Sequence, residues 1–149
     1  MILDSQLQFS SAQAITAPAA STNAIDVSEA RNIGLGKDLY VVVTVDTSFT
    51  DGGSNTGTDV FLYGDSTSTF TPDGKQLLFT LPKNAAAGSG PYVAKISPSL
   101  VAGIGAGNFE FLEVYYSPTG ANLTAGAVTA TISADIAAYQ SYPKNYTIA

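Results

Sequence analysis

The sequence predicts an all-β fold, a β-sandwich or jelly roll of about eight short antiparallel strands with extended N- and C-terminal arms. Apolar residues recur with a two-residue period in short runs, and Gly-, Pro-, Ser- and Asn-rich stretches separate those runs. No segment holds a helical period for more than one turn. Charged residues make up only 12% of the chain, about half the usual share near 25%, and Ser, Thr, Gly and Ala fill the difference, which suits strands joined by turns. At 149 residues a single domain over 1–149 is expected, large enough to bury about 68–70% of its extended-chain surface.

The first twenty residues are apolar and nearly uncharged, and Leu7 and Phe9 alternate with Gln6 and Gln8. They read as an N-terminal arm or edge strand. Residues 23–27 alternate again, and 28–31 allow one helical turn before Gly34 and Gly36 close it. The strongest segment is Leu39-Tyr40-Val41-Val42-Val43-Thr44-Val45-Asp46. Its β-branched side chains are stiff at χ1 and suit a pleated surface. Leu39, Val41, Val43 and Val45 share one face, and Tyr40, Val42, Thr44 and Asp46 the other. It is expected to be a central strand.

Residues 47–58, rich in Gly, Ser and Thr, read as a long mobile loop. Strand character resumes over 59–64, and Thr71-Pro72-Asp73-Gly74 is a turn, with Pro presetting φ and Gly accepting positive φ. A strand over 76–81 is expected to place Leu77, Phe79 and Leu81 on one face, and another follows over 92–96. A second strong strand spans 109–116 and ends in Ser117-Pro118-Thr119-Gly120. Over 126–136, Val128, Ala130, Ile132, Ala134 and Ile136 alternate with polar residues, and these last two strands are expected to form a hairpin. Residues 139–149 form an aromatic tail without period.

Composition narrows function. With no cysteine and no histidine, disulfides, thiolate zinc sites, Cys nucleophiles and every triad that uses imidazole are excluded. Twelve acidic against six basic residues give a net charge of −6, which disfavours nucleic acid as a partner. The N-terminus has no basic stretch or long apolar run, so neither a signal peptide nor a membrane span is expected, and synthesis in the cytoplasm of a host is.

The individual motifs favour bland readings. Gly103-Ile104-Gly105-Ala106-Gly107 has the look of a dinucleotide loop, but a β pattern follows it where that motif needs a helix. Glu110 and Glu113 as a glycosidase pair would project to opposite faces of a strand, so solvated or interface charges are expected. Asp51, Asn55 and Asp59 have calcium-type oxygens without EF-hand spacing, and they are ordinary turn residues. The Asn122 and Asn145 sequons have no meaning without secretion. No catalytic, cofactor or metal site is expected, and the chain is read as not an enzyme. Tyr139, Tyr142 and Tyr146 either pack over the end of the sandwich or serve a protein interface, where a large ring with a polar tip is well suited.

Several segments resemble a family of tailed-bacteriophage capsid cement (decoration) proteins. They are the opening run from Met1 to Ser10, the run from Leu39 to Asp51, Gly120-Ala121-Asn122-Leu123-Thr124-Ala125-Gly126, and the closing aromatic tail. The likeness covers the first fifty residues and the last thirty, without residues 55–107 and without a catalytic motif. It implies a jelly-roll virion protein on the outer surface of the expanded head, bound to the major capsid protein. The resemblance also implies self-association, with a homodimer expected and a trimer as its alternative. Ile2, Leu3, Leu7, Phe9, Tyr139, Tyr142, Tyr146 and Ile148 are the candidate capsid or subunit contacts. The rival class is a carbohydrate-binding β-sandwich on a phage fibre or surface, with Tyr92, Tyr115 and Tyr116 as its aromatic platform. An enzyme with a His-free acid–base pair ranks third.

Overall fold

The computed structural model describes residues 5–26, 38–67, 76–96 and 111–133. A single 3-10 turn, Ser5–Leu7, leads into strand β1, Gln8–Ala14. Then come β2 (Ala19–Ala20), β3 (Ile25–Asp26), β4 (Leu39–Asp51), β5 (Gly57–Asp65), β6 (Gln76–Leu81), β7 (Tyr92–Ile96), β8 (Phe111–Thr119) and β9 (Leu123–Ser133). They form two antiparallel sheets. One has the order β1-β9-β4-β7; the other is β2-β8-β5-β6, with β3 also on the free edge of β8. With β2 and β3 counted as one interrupted edge strand, this is the strand order of an eight-stranded jelly roll.

The core lies between the sheets and follows the two-residue period. Val41, Val43 and Val45 of β4 and Val128 and Ala130 of β9 face Val60 and Leu62 of β5 and Val114 and Tyr116 of β8. As a central strand β4 is paired on both sides, to β9 and to β7. Beyond Val43 the connection between β6 and β7 takes over the place of β7. The Phe49 amide donates to the Ala85 carbonyl (2.8 Å), and the Gly88 amide donates to that of Val45 (2.7 Å). Ala85 is thereby buried in the core.

Three local expectations change. The stretch 47–58 is not a long loop: β4 runs to Asp51, β5 starts at Gly57, and five residues join them. Polar Thr47, Ser48 and Thr50 alternate with buried Phe49 at the outer end of a long strand, so composition alone mimics a loop there. Nor do β8 and β9 form a hairpin, since they lie in different sheets. Both have one apolar face, and these faces meet across the core instead of joining edge to edge. In β6 the register slips between its pairs with Val60 and Phe61, leaving Leu78 as an extra residue. Phe79 therefore faces the core side and Leu77 the outside, so the two do not share a face. Finally, Val42 is 1% exposed although it sits on the outer face of its sheet, away from the Val41 and Val43 side.

The turns at 28–31 and 71–74, the glycine-rich loop at 103–107, Glu110, Ala134, Ile136, Asn145 and the tail 139–149 lie outside the described residues.

Candidate interaction surfaces

Most buried polar groups serve the fold. In β1, irregular pairing with β9 and a positive φ at Ala12 (45°) accompany a buried Ser10. Its hydroxyl donates to Gln13 Oε1 (2.7 Å) and shares a 2.7 Å hydrogen bond with the buried Tyr116 hydroxyl. Burial pushes the Tyr116 phenol well above its ordinary value. Gln13 also donates to the Ala20 carbonyl (2.7 Å) and accepts from the Thr22 amide (2.9 Å), tying the edge of one sheet to the approach of the other.

The loop between β4 and β5 is organised by buried Asn55. Its amide group donates to the Ala121 carbonyl (2.7 Å) and accepts from the Gly57 amide (2.9 Å), while its backbone amide donates to Asp51 Oδ2 (2.6 Å). Asp59 accepts from Thr80 Oγ1 (2.5 Å) on β6. The three residues with calcium-type oxygens are thus engaged separately, in a turn and on a ladder.

Glu113 departs furthest from expectation. On β8 it lies directly opposite Tyr63 of β5, on the outer face of the second sheet, and it is only 4% exposed. The Tyr63 hydroxyl donates to Glu113 Oε2. Burial raises the Glu113 carboxyl above its ordinary value, the Tyr63 hydrogen bond works against that rise, and nearby Asp65 adds to it. Tyr63 is itself pushed up, first by burial and then by Glu113. Alternation alone does not signal this, because a lone Glu in an apolar strand reads as an outward charge.

Of the expected contact residues, Leu7 is half-buried in the opening 3-10 turn. Phe9 is a correction: its ring is fully buried in the core, so it is unavailable as a surface anchor. Its strand alternation was legible, but the direction of its buried face was not. Ile2, Leu3, Tyr139, Tyr142, Tyr146 and Ile148 lie outside the described residues. The rival's aromatic platform does not assemble. Tyr116 faces the core, Tyr115 projects from the opposite face of the same strand, and Tyr92 belongs to the other sheet.

Strands β6 and β7 end their sheets next to each other, bridged by stacked Phe79 and Tyr92 with ring centroids 6.2 Å apart. Leu77 (49% exposed) and Val93 (38%) are the exposed large hydrophobic residues among those described, and both lie here. No helix among the described residues is long and apolar enough to cross a membrane.

The class defined by this architecture is a jelly-roll β-sandwich whose described residues expose their large apolar side chains at one pair of sheet edges. The sequence model of the Bbp16 family matches residues 9–132, nearly the whole sandwich, and the chain belongs to that family. No match is found among curated proteins.

Proposed function

We propose that the chain is a structural virion protein, a cement or decoration protein on the outside of the expanded head of a tailed bacteriophage. It clamps neighbouring major capsid proteins against internal DNA pressure. The observation that carries this reading is the strand order β1-β9-β4-β7 over β2-β8-β5-β6, the jelly roll that the resemblance of the opening, 39–51 and 120–126 segments implies. The internal use of Ser10, Tyr116, Asn55 and Tyr63–Glu113 also suits a structural scaffold.

Ile2 and Leu3, with Tyr139, Tyr142, Tyr146 and Ile148, are the proposed capsid contacts, adding to an exposed sheet edge or filling a groove on the lattice. Binding the expanded lattice alone stabilises it by RT ln(1 + [L]/Kd), about 2.7 kcal/mol per site at a hundredfold excess over Kd. Repeated over many sites, that term opposes expansion-driven rupture.

The test is sedimentation of the purified protein with expanded heads and with unexpanded proheads. Saturable co-sedimentation with expanded heads alone is expected. Binding to neither overturns the reading.

A further inference from the structure

We propose that Asp51-Gly52 is a modification site, where the Asp51 side chain isomerises to isoaspartate in the folded chain and loosens the turn between β4 and β5.

The chemistry needs an aspartate whose carboxyl carbon is within reach of the next residue's amide nitrogen, and a next residue too small to shield that nitrogen. Asp46 and Asp59 are followed by β-branched Thr47 and Val60 inside paired strands. Asp-Gly occurs at positions 51 and 73, and position 73 lies outside the described residues. Asp51 is where β4 ends. Its pair with Leu123 follows a register shift from the Thr50 pair with Ala125, so the ladder is irregular there. Gly52 and Gly53 are exposed, and Gly53 takes a positive φ of 104° that turns the chain toward Asn55.

The turn also holds the reacting group. The Asn55 amide donates to Asp51 Oδ2 (2.6 Å), which fixes the carboxyl over the turn. When the Gly52 nitrogen adds to the protonated carboxyl, negative charge develops on a carboxyl oxygen, and a donor already in place stabilises it. A bond forms between the Gly52 nitrogen and the Asp51 side-chain carbon. The carboxyl hydroxyl and the amide proton leave as water, and a five-membered succinimide closes. Water then adds at the former backbone carbonyl and breaks its bond to the Gly52 nitrogen. The atoms are those of the starting chain, but the backbone now runs through the Asp51 side chain and is one carbon longer. The Asn55 amide thereby loses its acceptor. Since Asn55 also ties the turn to the Ala121 carbonyl and the Gly57 amide, the lengthened backbone loosens the junction of the two sheets.

An ideal Cβ at Gly52 meets nothing within 4 Å, and its φ is not in the left-handed region. Gly52→Ala is therefore tolerated and shields the nitrogen. Asp51→Glu keeps a carboxylate but cannot close the five-membered ring. The parent and both variants are to be held for weeks at mildly acidic pH, folded and in urea. Isoaspartate is counted by isoaspartyl methyltransferase labelling and placed by peptide fragmentation. The folded parent is expected to accumulate isoaspartate at position 51, Gly52→Ala at a rate at least fivefold lower, and Asp51→Glu none there. The urea midpoint of the aged parent should fall in step with its isoaspartate content, while those of the aged variants hold. Isoaspartate at position 51 in urea alone, an equal rate in folded Gly52→Ala, or an unchanged midpoint in the modified parent overturns the inference.

Discussion

Glu113 shows what a single side chain does when its strand position and its chemistry disagree. β8 places it opposite Tyr63 in a nearly water-free position, where the charged form is disfavoured and one phenol hydrogen bond offsets part of that penalty. Because its folded pKa lies above the unfolded one, the folded state holds this proton more tightly. Its contribution to stability is therefore full below the ordinary carboxylate range and declines as pH rises through the raised value. Glu113→Gln keeps an acceptor for Tyr63 and removes the charge. Urea midpoints measured from pH 4 upward are expected to show the variant gaining on the parent as pH rises, then levelling. A pH-independent difference would contradict this account. Thr58 is a simpler case: its hydroxyl is buried on β5 without a hydrogen-bond partner. Thr58→Val keeps the shape and removes the desolvated hydroxyl, so thermal unfolding should show a gain of about 1 kcal/mol.

Among the elements, β4 and the turn that follows it decide how the two sheets are joined. The turn is held by Asn55, which bridges to Ala121 on the β8–β9 connection and to the start of β5. Gly120 supports the same junction, with a positive φ of 85° and its α-carbon turned toward the Ser54 carbonyl, where a Cβ would collide. Asn55→Ala leaves the Gly57 amide and the Ala121 carbonyl without their side-chain partners. A loss of about 2–4 kcal/mol is expected, against a change within about 0.5 kcal/mol for exposed Asn122→Ala. Chemical denaturation of the two variants side by side checks it, and equal effects would deny Asn55 this role.

At the scale of the whole molecule, the jelly roll manages its edges unequally. Among the described strands, three are irregular, bulged or very short, whereas β7 keeps an unbroken register with β4.

Much of this architecture was legible in the residues. Runs such as Leu39 to Asp46 and the alternation through Val128, Ala130 and Ile132 determine strands and their apolar faces, because a period of two admits one pleated arrangement. The absence of histidine and cysteine determines which chemistries the chain lacks. Pairing is another matter. The β8–β9 hairpin expectation failed because an apolar face states that a strand is buried without stating against what. The Leu78 bulge, the inward turn of Ser10 and the burial of Glu113 depend on partners distant in sequence. Hence the strands follow from local periodicity, while sheet membership, the fate of Phe9 and the meeting of β6 with β7 were decided only when the two sheets packed.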